Sequence, residues 1–291
     1  MTEEAHFPGH FGTVVIVGVG LIGGSLGMAL KSRRLAQTVI GVGRSLERLD
    51  TAKALGAIDA GTTNLEEAAA GANIVVLCTT VGHILKTLPE TLALVKSSAV
   101  VSDVGSTKAS IVQAAAGAGN FVGGHPMAGS EQTGVEAATP LLFEEATWAI
   151  TPSETTDPAA VTLLERFAQS VGATTLRLTP DAHDAMLAVT SHLPHVLASA
   201  LMRQAHQTQS RYSQTQQLTA GSFTDGTRVA ASSPEIWRDV CLSNRDALLQ
   251  ALQAFRGELD ALEAAVEARD AAQIEAFFTA GAAAKRGWGA L

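Results

Sequence analysis

Apolar residues in the first 180 positions follow two alternating rhythms. Short runs rich in β-branched residues at 13–17, 38–42, 74–78, 99–103, 147–150 and 173–178 read as strands. Between them, apolar residues fall at helical spacing over 21–31, 46–55, 81–95, 108–116 and 158–170. The run Ile74-Val75-Val76-Leu77 is apolar at every position, which predicts burial on both faces of a parallel sheet covered by helices. Strand–helix alternation of this kind predicts a doubly wound α/β fold.

After Thr179 the strand signals stop. Thr179-Pro180-Asp181 predicts a helix start, with threonine as N-cap, proline in the first turn and an acid near the positive end of the helix dipole. Ser233-Pro234-Glu235 repeats the pattern, and residues 220–231, with two glycines and several small polar side chains, read as a loop. The segments 244–269 and 271–286 are rich in Ala and Leu with wide apolar faces. In a helical half this short, such faces call for a second copy of the chain, hence a homodimer through the C-terminal helices. The predicted division is residues 1–179 as an α/β dinucleotide-binding domain and 180–291 as an all-α domain for substrate binding and dimerisation.

Composition narrows the class. The 291 residues are 46% hydrophobic and 16% charged, with a formal net charge of −8, as in an ordinary globular enzyme. An acidic surface argues against nucleic-acid or anionic-membrane partners. No stretch reads as a membrane span, and the acidic start, Met1-Thr2-Glu3-Glu4, has no basic segment with an apolar core behind it, so a cytoplasmic location is expected. Cys78 and Cys241 read as small core residues, and no His, Cys or carboxylate set has metal-ligand spacing.

Gly18-Val19-Gly20-Leu21-Ile22-Gly23 follows the first strand directly and opens a helix. Gly18 permits the tight turn, Gly20 lets the backbone approach a pyrophosphate, and Gly23 lets helix and strand close on each other. Backbone N–H groups at Leu21 and Ile22 then face the phosphates. This is a Rossmann-type fingerprint. At the end of the second strand, where an NAD enzyme usually carries an acid for the ribose hydroxyls, the chain has Gly43, followed by Arg44 and Ser45. An arginine and a hydroxyl there favour the 2′-phosphate of NADP, with NAD as the alternative.

Two later stretches hold more chemistry than folding requires: Asp103-Val104-Gly105-Ser106-Thr107-Lys108 and His125-Pro126-Met127-Ala128-Gly129-Ser130-Glu131. Loops at the carboxyl edge of a doubly wound sheet are where ligands bind, and a histidine there suits general acid/base work. Together with the glycine fingerprint, His183-Asp184, Ser191-His192-Leu193-Pro194-His195, and Phe223 through Arg228 followed by Trp237, these elements occur in order from about residue 13 to 244. In this the chain resembles the prephenate and arogenate dehydrogenase family of tyrosine biosynthesis.

The resemblance implies oxidative decarboxylation of a cyclohexadiene: hydride passes to NADP or NAD, CO₂ leaves, and the ring becomes aromatic. It implies that His125 takes the proton of the ring hydroxyl and that Ser106 binds the same hydroxyl or positions the histidine. Arg228 would hold the substrate carboxylate and Trp237 would shape the pocket. His183 and His195 would line it, and Glu131 and Asp184 would form an ionic network with Arg228. Thr79 and Asp103 join the cofactor contacts. His192 reads as structural. Many relatives have proline after the threonine at 79, where this chain has Thr80. Competing readings are a β-hydroxy acid dehydrogenase and a dinucleotide-binding sensor without turnover. Between prephenate and arogenate the sequence leaves the choice open.

Overall fold

In a computed structural model, residues 11–115, 117–130 and 132–288 are described. The chain divides into two compact units, Met1–Arg245 and Asp246–Leu291. The first holds eight strands in one sheet, in the order β3-β2-β1-β4-β5-β6-β7-β8. These are β1 (Thr13–Val17), β2 (Thr38–Val42), β3 (Ala60–Thr62), β4 (Ile74–Leu77), β5 (Val100–Asp103), β6 (Phe121–Pro126), β7 (Thr147–Thr151) and β8 (Thr174–Arg177). All neighbours are parallel except β6 and β7. The strand order reverses at β1, which pairs with β2 on one side and β4 on the other, and that switch opens a crevice at the strands' carboxyl ends.

Alternate residues of one strand feed two cores. Val14 and Ile16 pack in a cluster with Leu26 and Leu30 of α1 (Leu21–Ser32) and Leu164 and Phe167 of α6 (Pro158–Ser170). Val15 and Val17 pack on the other side with Ile84 and Leu88 of α4 (Val81–Leu94) and Ile111 of α5 (Ala109–Ala114). This two-sided burial is what the uninterrupted apolar strands require. Between β2 and β4 lie α2 (Leu46–Ala54), β3 and α3 (Leu65–Ala70).

The expected helix start at Thr179 forms: its hydroxyl accepts from Ala182 N at 3.2 Å, and Pro180 opens α7 (Pro180–Leu187). A π-helical turn, Ala188–His192, joins α7 to α8 (Leu193–Arg211). Pro194 cannot donate to the carbonyl four residues back, and the wider turn absorbs that break. The run Pro180–Arg211 is 32 residues and contains an 18-residue window of mean hydropathy 1.4, long and apolar enough by those measures to cross a membrane, against the sequence reading. Its buried His183, Asp184 and His192 instead serve the site described below.

Residues 220–231, expected as a loop, are helical: α9 (Gly221–Thr227) runs into a 3₁₀ turn, Arg228–Ala231. Next comes α10 (Pro234–Ser243). In the second unit, α11 (Arg245–Glu267, begun one residue before the boundary) and α12 (Ala271–Gly287) carry exposed apolar side chains, among them Leu259, Val266 and Phe278.

Candidate active site

The glycine turn has the shape that a dinucleotide needs. Gly18 has φ +95°, a conformation closed to most side chains, and a Cβ there would come within 2.5 Å of Thr79 Cγ2 and 2.7 Å of the Cys78 carbonyl. Gly23 is packed so closely that a Cβ would meet the Gly18 carbonyl at 2.1 Å. At Gly20 a Cβ would meet nothing within 4 Å, so the turn opens outward at the residue where a pyrophosphate has to approach. Gly20 is also the N-cap of α1; no side chain caps that end, and its first turn has no acid. The backbone N–H groups of the first turn, at half-buried Leu21 and Ile22, are left to an anionic partner. Thr79 Oγ1, on the loop that touches Gly18, is buried without a hydrogen-bond partner among the described residues. These features fit a bound dinucleotide.

At the end of β2, Gly43 is half-buried and Arg44 exposed. Ser45 caps α2, its hydroxyl accepting from Arg48 N at 3.4 Å, which leaves the hydroxyl proton for another acceptor.

His125 does not lie in a loop: it sits in β6, paired with Ala149 of β7. It is 9% exposed, and its Nδ1 lies 2.9 Å from Nε2 of His183, which is wholly buried on α7. His183 Nδ1 lies 2.8 Å from Asp184 Oδ1. Asp184 also accepts from Lys108 N at 2.7 Å and Ala109 N at 2.9 Å, the first donors of α5. A carboxylate with such partners accepts, so His183 carries its proton on Nδ1 and presents a bare Nε2. His125 must then donate from Nδ1, which leaves its own Nε2 as a lone pair. Among the described residues nothing bonds that Nε2. Burial, with His183, Lys108 and His192 nearby, holds the His125 pKa well below the usual histidine value. The ring is a neutral base with one nitrogen held and the other available.

The strand beneath is clamped. Lys108, fully buried, pairs with the buried Asp103 and donates to the Gly124 carbonyl at 2.7 Å. Asp103 accepts from Gly124 N at 3.2 Å and Gly105 N at 2.8 Å. Gly124, the residue before His125, is thus gripped at both its N–H and its carbonyl. Burial pulls the Lys108 pKa down, while the Asp103 carboxylate works to keep the ammonium charged. With its carboxylate filled by internal partners, Asp103 supports the strand.

Asp184 likewise stands behind the histidines, with His183 and two backbone amides as its partners. His192, read from the sequence as structural, joins the buried network. Asn244 donates from Nδ2 to the Asp184 carbonyl at 2.8 Å and lies 3.0 Å from His192 Nδ1. Burial lowers the His192 pKa to about 4, and the carbonyl of half-buried Ser106 lies against the ring. His195 stacks on half-buried Trp237, ring centroids 3.7 Å apart and planes at 25°, and donates from Nδ1 to the Ser191 carbonyl at 2.9 Å. Burial lowers the His195 pKa, and Arg228 nearby pushes the same way. Arg228 is exposed at the head of its 3₁₀ turn. Glu131 lies outside the described residues. Asn244 and Lys108, absent from the expected site, owe their places to backbone groups far along the chain, which residue type alone does not announce.

A phosphate cradle at the β1 switch point and a neutral, relay-held histidine on the same sheet define a dinucleotide-dependent dehydrogenase. Two family models bear on the class: prephenate dehydrogenase, nucleotide-binding domain, matches residues 26–177, and prephenate dehydrogenase, dimerization domain, matches residues 179–280. The chain belongs to the prephenate dehydrogenase family. It is 36% identical to the prephenate dehydrogenase of Bacillus subtilis over 271 residues, 91% of this chain and 73% of that one. It is similar in structure to Aquifex aeolicus prephenate dehydrogenase in complex with hydroxyphenyl propionate and NAD+ (TM-score 0.83, 30% identity, 97% of this chain and 98% of the other). Synechocystis arogenate dehydrogenase is also similar (TM-score 0.79, 30% identity, 95% of this chain and 100% of the other).

Proposed function

We propose that this protein oxidatively decarboxylates prephenate, arogenate or both in tyrosine biosynthesis, with His125 as the base. The observation that carries this reading is the Asp184–His183–His125 relay, which fixes two tautomers and leaves His125 Nε2 bare. As the hydroxyl-bearing carbon takes on carbonyl character, its hydroxyl proton moves to that nitrogen. The bound dinucleotide supplies the hydride acceptor. Loss of CO₂ makes the ring aromatic and drives the reaction, so the protein's main work is to orient two rings and accept one proton.

Ser106 binds the ring hydroxyl or steadies the histidine. The exposed Arg228 guanidinium binds the substrate carboxylate through two parallel hydrogen bonds. The stacked His195 and Trp237 wall the pocket. The dinucleotide lies on Gly18, Gly20, Leu21, Ile22 and Gly23, with Thr79 at the adjoining loop and Gly43, Arg44 and Ser45 at the adenosine end. Exposed Arg44 and the free hydroxyl proton of Ser45 favour NADP over NAD. Residues 1–179 hold the dinucleotide, and 180–291 supply the substrate contacts and the homodimer interface, in a cytoplasmic enzyme.

The test is absorbance of reduced nicotinamide from purified protein with prephenate or arogenate, each with NADP and NAD. Turnover that His125→Asn abolishes is the expected result. A folded protein that binds dinucleotide but turns over none of the four combinations sinks the reading and returns the choice to a β-hydroxy acid dehydrogenase or a sensor.

A further inference from the structure

The start of α4 is capped from outside the helix. Thr80 is its N-cap residue, in extended conformation, yet its side chain makes no capping bond to the helix. The donor in the second helical position, Gly82 N, goes instead to Asp239 Oδ2 at 3.1 Å, 157 residues further on. Asp239 sits on α10, 8% exposed, and its other oxygen is gripped by Arg238 through Nε at 2.9 Å and Nη2 at 2.7 Å. A carboxylate at a helix N-terminus satisfies an orphan donor and suits the dipole. Burial works to raise the Asp239 carboxyl, but the Arg238 guanidinium, the Thr80 hydroxyl and Gly82 N–H together hold it below its ordinary value, so it stays charged. Gly82 belongs to the same device: a Cβ there would sit 2.6 Å from Asp239 Oδ2.

This contact joins two halves of the site. Residues 78–80 link β4 to α4, and they meet the glycine turn directly, since a Cβ on Gly18 would collide with Thr79 and Cys78. The partnerless Thr79 Oγ1 lies in the same loop. Two residues before Asp239 on α10 stands Trp237, stacked on His195.

We propose that Asp239 is a positioning residue for the cofactor loop, capping α4 in place of a local side chain and setting residues 78–80 in register with the helix that carries Trp237. It touches neither dinucleotide nor substrate; it acts through Thr79 and the glycine turn. The inference rests on the dehydrogenase reading for the identity of the ligands. Its primary readout is dinucleotide affinity, which does not depend on turnover.

The experiment titrates reduced dinucleotide by fluorescence into wild type, Asp239→Ala, Asp239→Asn, Gly82→Ala and the Asp239→Ala/Gly82→Ala double variant, each checked for folding by circular dichroism. It also measures KM for prephenate. Loss of a cap of this kind should weaken dinucleotide binding about fivefold to tenfold in Asp239→Ala. The prephenate KM should stay within about twofold of wild type. Asparagine still offers an oxygen to Gly82 N–H and should recover most of the loss. Gly82→Ala expels the carboxylate and should match Asp239→Ala, and the double variant should be no worse than either. The proposal is overturned by wild-type affinity in folded Asp239→Ala, by failure of asparagine to rescue, by losses that add in the double variant, or by an equal rise in prephenate KM. Wild type that binds dinucleotide but turns over neither substrate overturns the dehydrogenase reading alone and leaves the affinity comparison standing. Wild type that binds no dinucleotide overturns both.

Discussion

His183 holds His125 by a ring-to-ring contact of 2.9 Å, and the orientation of that contact is set one residue further on, at Asp184. The three side chains form a one-way chain of donation from His125 towards the carboxylate. Removing the proposed base, in His125→Asn, should lower kcat by on the order of a hundredfold to ten-thousandfold. His183→Phe keeps the ring volume but leaves His125 Nδ1–H without its acceptor. A smaller loss in kcat is expected, on the order of tenfold to a hundredfold, with the dinucleotide KM unchanged. Steady-state kinetics on both variants check this; a His183→Phe enzyme with wild-type kcat would show that the relay has no part in turnover.

The pH profile has a defined sign. A base works when neutral, and burial with the neighbouring His183 depresses the His125 pKa from its ordinary 6.5. The acid limb of kcat/KM should therefore lie below pH 6.5, with activity retained as pH falls through the usual histidine range. An acid limb at or above 6.5 in the wild type would contradict the buried, neutral base.

Much of this arrangement was legible in the sequence, and the parts that were not share a cause. The strand at 13–17, the glycine turn and the cap at Thr179 depend on residues within a few positions of one another, and they form as expected. β6 escaped because Gly123, Gly124 and Pro126 are poor strand formers. It is held by β7 and by the Asp103–Lys108 pair, neither of which is local. β3 is three residues long, too short to show alternation. Residues 220–231 contain Gly221 and Gly226 and read as loop, but α9 and its 3₁₀ turn pack against α8, and such tertiary support overrides a weak helix propensity. Asn244 meets the Asp184 carbonyl across 60 residues, a contact that no spacing rule anticipates.

The proposed preference for NADP rests on the end of β2. Arg44→Ala should lower kcat/KM for NADP about tenfold and leave the NAD value nearly unchanged, because only the 2′-phosphate gains from a guanidinium. Gly43→Asp should move preference the other way, adding an acceptor for the ribose hydroxyls and a charge that repels the phosphate. The site has room for it: a Cβ at Gly43 meets Leu49 Cδ2 at 3.3 Å, the movable end of a side chain. Parallel kinetics with the two cofactors measure the ratio, and an Arg44→Ala variant that loses equally with both would remove the argument for NADP.

Acid should destabilise the fold through His192. In the folded chain this ring is 1% exposed and stays neutral down to about pH 4; in the unfolded chain it takes a proton near 6.5. Between those values the unfolded state binds more protons, so the contribution to stability is full above pH 6.5 and is lost as pH falls towards 4. A shift of that size corresponds to roughly 3 kcal/mol at most. His192→Gln keeps an amide for Asn244 and removes the titration. Its melting temperature should start lower than wild type at pH 7.5 and fall less steeply between pH 6.5 and 4.5, as measured by thermal melts across about that range. Parallel slopes in the two proteins would mean that another group governs the acid transition.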